Sequence, residues 1–283
     1  MRRIPVIATI RDAYVFTATH LGGIISLIWV PMVLVTVMGF FSLQRYYTDF
    51  SAALTSNNTA ALAPSLLMML CYLVAALLLW AIMYVGVVQL ALGARTAPVF
   101  AHFAFGNLEW RMFRALAAFA GLCLLLVMPV FVLGTAALKA AGVQADPAQM
   151  GLVFYVIVAL VTPRFLALLP AIAVGETTPV LRRAWMLSAG NFWRLLAVLL
   201  AVFGPVFLVF IGIDMALMSH GAPLSGDEQE LMRAALSRAR ATLPLISGLW
   251  FLISPLVVGL FAGASVSAWR ALKDEPAALD IAV

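Results

Sequence analysis

The chain has 283 residues, 65% of them apolar and only 10% charged, with a formal net charge of +5. Soluble domains carry about 25% charged and 45 to 50% apolar residues, so this chain holds too few polar side chains to cover its apolar ones. A water-soluble globular fold is excluded, lipid is the expected solvent, and no nucleic-acid partner is expected.

In chain order, six apolar stretches are long enough for ~30 Å of hydrocarbon, which takes about 20 residues. They run over 21–43, 66–92, 113–138, 150–175, 193–218 and 243–268. The first exceeds the about 7 to 15 residues of a signal-peptide core and reads as a retained span. Cys71 and Cys123 both lie inside apolar runs, where a thiol acts as a small hydrophobe. Arginine outnumbers lysine fifteen to two, which suggests a GC-rich coding sequence and a bacterial source.

A short segment precedes the first span. After Pro5, residues Val6, Ile7, Ile10, Ala13 and Tyr14 share one helical face and Thr9 and Asp12 the other, the pattern of an interfacial amphipathic helix. A shorter apolar segment, "PVFAHFAF", starts at Pro98. A third starts at Pro179, with Val180, Leu181, Ala184, Trp185, Leu187 and Ser188 on one face and Arg182, Arg183 and Met186 on the other. There Thr178 is the expected N-cap, Pro179 the first helical residue and Gly190 the left-handed exit. Asn191 then caps the next helix, with Trp193 and Arg194 at headgroup depth.

The three segments end at Gly22, Gly106 and Gly190, each 84 residues from the next, in "THLGGIISLIW", "FAFGNLEWRMFRAL" and "LSAGNFWRLLAVL". Internal similarity at fixed spacing points to a repeated unit. The expected fold is all-α: a single integral membrane domain over 1–283 with six transmembrane helices plus interfacial helices. Its three parallel repeats are an interfacial helix and a transmembrane hairpin, over 4–92, 96–175 and 177–270.

Basic residues set the expected orientation. One side holds eleven: Arg2, Arg3, Arg11, Arg95, Arg111, Arg114, Arg182, Arg183, Arg194, Arg270 and Lys273. The other holds five: Arg45, Lys139, Arg233, Arg238 and Arg240. Both termini are therefore expected in the cytoplasm of a bacterial inner-membrane protein. In "SGDEQELMRAALSRARATL", Ser225 and Glu228 form a capping box, and acids precede bases as a helix dipole prefers. This reads as a solvated or interfacial helix in an outer loop.

From Arg164, "RFLALLPAIAVGE", followed by "AWMLSAGNFWRLL", resembles the membrane domain found beside some bacterial glycerophosphoryl diester phosphodiesterases and in stand-alone six-span proteins. The similarity covers residues 160–200. In that family the phosphodiesterase activity belongs to a separate soluble barrel, for which this chain has neither room nor acidic and histidine motifs. The resemblance implies a membrane-embedded accessory connected with lipid and does not imply hydrolysis.

Among ionisable residues, Arg164 falls near the middle of the fourth expected span, where even lenient insertion scales assign about 2.5 to 3.5 kcal/mol to an arginine. Glu176 ends that span, Glu109 stands beside Arg111 as an expected local salt bridge, and Asp214 lies near the outer end of the fifth. His20, His102 and His220 fall at three interfaces without metal-ligand spacing, so neither metal nor cofactor is expected. The candidate ligand or lipid residues are Arg164, Glu176, Arg182, Arg183 and Arg194; the expected interfacial anchors are Trp110, Trp185 and Trp193. Catalysis needs converging acid, base or metal groups, and none are legible. The expected function is a non-enzymatic, lipid-associated accessory or scaffold. Its partners would be membrane lipids and a membrane protein or a second copy of the chain. The alternative is a transporter or flippase of an anionic amphiphile, whose headgroup Arg164 would meet.

Overall fold

The computed structural model describes residues 3–56, 58–96, 103, 105–140, 157–158, 160–166, 168–175, 188, 190–219 and 228–273. Every regular element among them is helical: α1 (Val6–Thr19), α2 (Leu21–Ser56), α3 (Ala63–Ala91), α4 (Asn107–Ala140), α5 (Leu168–Ala173), α6 (Phe192–Ser219) and α7 (Glu228–Lys273). A 3-10 turn at Thr59–Leu62 joins α2 to α3, and Asn58 caps it by accepting from the Ala60 amide. The helices α2, α3, α4, α6 and α7 are long and apolar enough to cross a membrane, which fits a multi-pass membrane protein.

The fourth expected span, 150–175, is not one straight helix where the structure describes it. Helical residues 160–165 give way to a turn at Leu166, and α5 then restarts for six residues. Pro163 and Pro170 each remove a backbone donor, which fits an interrupted path. All six residues of α5 are buried, and Gly175 ends the segment in the left-handed region at φ 80°.

At the centre stand α2, α3 and α7. Antiparallel α2 and α3 are registered by Leu27 beside Gly86, Val35 against Leu79 and Ile82, and the Tyr72 ring over Gly39. Antiparallel α2 and α7 meet from Ile24 beside Gly259 to the far end, where Ser51, Ser56 and Arg233 line a common hollow. At ~1.5 Å per residue α2 and α7 measure about 54 and 69 Å, well beyond the ~30 Å of hydrocarbon. The acid-and-arginine segment expected as a separate outer-loop helix is, from Glu228 onward, the first turns of α7. Pro244 lies inside this helix; Ser225, the other half of the expected capping box, lies outside the described residues.

The first amphipathic segment is the helix expected, α1. Thr9, Ala13, Phe16 and Thr17 are buried, while Ile7 is 84% exposed. The reason is a small-residue seam on α7: a Cβ on Gly263 would stand 3.0 Å from Ala13 Cα, and one on Gly259 2.9 Å from the Thr17 methyl. Small residues at a four-residue interval admit close backbone approach, so α1 lays Ala13 and Thr17 into the seam, while Ile7 faces outward. Asp12 belongs to the same side; it pairs with Arg11 at 3.6 Å and accepts from Ser267 Oγ at 3.0 Å. Along its other flank α1 follows α6, with Ile4 near Leu195 and Leu199, Ala13 near Val198 and Val202, and Tyr14 at Ala201. It runs beside a membrane-length helix for its whole length rather than across the ends of the bundle.

Candidate functional site

One end of the bundle gathers the chain's helix termini. The Gln89 amide near the end of α3 reaches the Ala173 carbonyl of α5 (3.5 Å), and Arg270 near the end of α7 reaches the Leu92 carbonyl (3.4 Å). Lys273 lies over the Trp269 ring at 4.5 Å. The N-terminal strand of chain before α1 closes this end: the Ile4 amide donates to Asn191 Oδ1 (3.2 Å), and Arg194 donates to the Ile4 carbonyl (3.0 Å).

Beside this closure Gly190 takes φ 80°, a left-handed conformation that glycine adopts without strain. The chain then enters α6, which begins at Phe192. Asn191 occupies the cap position, and its side-chain oxygen also receives the Ile4 amide from another part of the chain.

Around the start of α6 lies a hollow of about 440 Å³ lined by Arg164, Gly190, Phe192, Trp193 and Arg194. The Arg164 guanidinium sits 5.1 Å above the Phe192 ring, within reach of the attraction between a cation and an aromatic face. Trp193 is 74% exposed at its mouth. The site therefore brings together two arginines that sequence spacing separates: Arg194, expected at a helix end, and Arg164, expected ~16 Å deep by a count of 1.5 Å per residue. In the structure the Arg164 side chain lines the same hollow as the first residues of α6. Glu176, Arg182, Arg183, Trp185 and the expected interfacial helix at 179–188, Ser188 aside, lie outside the described residues.

The chemistry of this hollow is that of an anion receptor. Each guanidinium carries five donors, so Arg194 retains others after engaging Ile4. The first-turn amides of a helix lack intrahelical partners, and the helix dipole favours negative charge there. Among the described residues, no group of three or more His, Cys, Asp or Glu side chains converges as a metal set would.

Two further findings concern residues read differently from sequence. Glu109, expected in a salt bridge, accepts the Gly106 amide at 2.9 Å and is buried. This is the reaching-back half of a capping box, with a carboxylate at the positive end of α4. Nearby Trp110 stacks on Phe113 at 5.1 Å and meets Phe105 edge-on at 6.2 Å. The second is Tyr14, whose hydroxyl donates to the Ala201 carbonyl at 3.2 Å. Pro205 has no N–H for that carbonyl, so α1 supplies the donor that α6 lacks. The proline spacing was visible in the sequence; the partner was not.

Compared with family models, curated proteins and solved structures, the chain has no match. The chemistry of the site is therefore argued from its own geometry.

Proposed function

We propose that this chain is a non-enzymatic integral membrane protein that holds anionic lipid at its basic end and there organises lipid or supports a membrane partner. The observation that carries the reading is the approach of Arg164 to Arg194 around the N-terminus of α6. Two guanidiniums, the N-terminal end of a helix and an exposed tryptophan are groups that recognise a phosphate headgroup at the membrane interface. The reading agrees with the lipid connection implied by the resemblance of residues 160–200. It includes three parallel units, six spans and a cytoplasmic basic end in a bacterial inner membrane. Reporter fusions after residues 50, 145 and 230 should report the outer side, and fusions after 100 and 185 the cytoplasm.

The direct test is purification in native nanodiscs followed by mass spectrometry of retained lipid. Arg164→Gln and Arg194→Gln variants with unchanged melting should each lose anionic lipid, because a base near the surface contributes about 1 kcal/mol. Unchanged lipid content in both would end the reading.

A further inference from the structure

A second hollow lies further along α6. It measures about 330 Å³ and is lined by Tyr14, Val202, Pro205 and Val206 with Ile253 and Leu256 of α7. That volume is at the low end of the ~300 to 1,000 Å³ of ligand sites and about twice the ~150 Å³ apolar cavity that takes up benzene. Its apolar lining suits a length of hydrocarbon rather than a charged headgroup.

Two prolines bound it. Pro205 frees the Ala201 carbonyl, which Tyr14 satisfies; Pro255 frees the Phe251 carbonyl, which the fully buried Ser254 hydroxyl satisfies at 2.8 Å. With both orphaned carbonyls occupied, the hollow presents side-chain hydrocarbon and no unmet backbone acceptor from either proline. It is an apolar slot bounded by α1, α6 and α7.

The slot and the arginine hollow both lie along α6. On α6, Arg194, Ala201 and Pro205 fall on one stripe at helical spacing, and Tyr14 of α1 touches that stripe at Ala201. From Arg194 the helix rises ~12 Å to Val202 and ~22 Å to Val209, while one leaflet of hydrocarbon is ~15 Å deep. A lipid whose phosphate sits between the arginines thus has the far half of its chain at the level of the slot.

We infer that one anionic glycerophospholipid occupies both hollows, its phosphate at Arg164 and Arg194 and one acyl chain running along α6 past Tyr14 into the Pro205–Pro255 slot. The inference rests on the reading of the arginine hollow as a headgroup site and adds the chain as a second element of recognition. Charge selects the headgroup and the slot selects the tail.

The experiment uses the full chain in phosphatidylcholine nanodiscs carrying a trace of phosphatidylglycerol with a diazirine in the distal half of one chain. After illumination, adducts should concentrate at Val206, Val209, Ile253 and Leu256 rather than spread to the lipid-exposed Leu125 and Leu133 of α4. A phosphatidylcholine probe with the same tail should label both regions alike. Arg164→Gln and Arg194→Gln should each lower slot labelling by phosphatidylglycerol about fivefold, and the lysine variants should recover most of it. Val206→Trp, which fills the slot, should lower phosphatidylglycerol retention with both arginines intact. Val209→Phe fills the exposed lip instead and serves if the tryptophan disturbs the fold. If retention falls with the arginine variants while slot labelling is unchanged, the headgroup reading stands and the single-lipid inference is overturned. If retention is indifferent to the arginines, both fall.

Discussion

Along α6, Leu195, Val198, Leu199 and Val202 are buried, whereas Phe207, Leu208, Val209 and Ile211 are exposed. In α4 the same change follows Cys123: Met112 and Cys123 are buried, and Leu125 and Leu133 are 74% and 68% exposed. Both halves of each helix are apolar, so hydrophobicity does not decide which half packs. Lipid tails are as apolar as leucine and offer no hydrophobic reward for leaving them. What distinguishes the packed end is its small residues, its helix termini and its polar contacts: the Gly259–Gly263 seam, the Ile4 bonds to Asn191 and Arg194, and the Glu109 cap.

The strongest way to break this comparison is to spoil the seam. Gly263→Leu would drive a side chain into Ala13 and Phe16, where even a Cβ stands 3.0 and 3.1 Å from its neighbours. Overpacking costs typically 1 to 3 kcal/mol and occasionally more, and here the neighbour is backbone, so a loss of about 3 kcal/mol is expected. Gly212→Leu, on the open half of α6 with nothing within 4 Å, should be close to neutral. Unfolding of both variants in mixed micelles makes the comparison; equal losses would mean the seam is not what holds α1.

Truncation sharpens the same contrast. Leu195 is fully buried against Ile4, Leu166 and Ala268, and Leu195→Ala should cost about 2 kcal/mol, the lower part of the range for buried leucine. The lower part applies because in lipid the packing loss remains while the transfer from water does not. Leu133→Ala faces no such cavity and should cost under about 0.5 kcal/mol. A large loss at Leu133 would instead reveal a partner on that half of α4.

Glu109→Ala removes the group that receives the Gly106 amide, for an expected loss of about 1 kcal/mol. Glu109→Gln keeps an acceptor at the third helical position and should lose only the charge–dipole part, about 0.3 to 1 kcal/mol. Amide exchange at the start of α4 distinguishes the two; identical behaviour would remove the charge from the account.

Much of this division could be read from residues, and some could not. The spans at 21–43, 66–92, 113–138 and 193–218 follow from apolar length, whereas the extension of α2 to Ser56 and the start of α4 at Asn107 do not. The turn at Gly190 follows from a glycine between an amphipathic segment and a span. The α1 seam was also written in the chain, as Gly259-Leu260-Phe261-Ala262-Gly263, a small-residue pair at helical spacing. The two faces of α1 were legible as apolar and polar, but not that Thr9 and Thr17 would be the buried ones, because their burial depends on the distant α7. The closure of Ile4 on Asn191 and Arg194 joins residues 187 and 190 positions apart, and no local pattern encodes such a meeting.

The smallest expected effect tests how α1 and α6 hold each other. Tyr14→Phe keeps the ring and removes the donor to the Ala201 carbonyl, which Pro205 leaves without its helical partner. Side-chain hydrogen bonds between membrane helices average about 0.6 kcal/mol, so a loss of that size is expected in micelle unfolding. Pro205→Ala restores an N–H four residues beyond Ala201, so the carbonyl regains a helical bond whatever Tyr14 does. In that background Tyr14→Phe should cost close to nothing, and the difference between the two costs is the coupling that a double-mutant cycle reads. If the tyrosine change costs as much beside alanine as beside proline, its hydroxyl is not compensating the proline. The contact of α1 with this stretch of α6 would then rest on packing alone, as in the glycine seam on its other side.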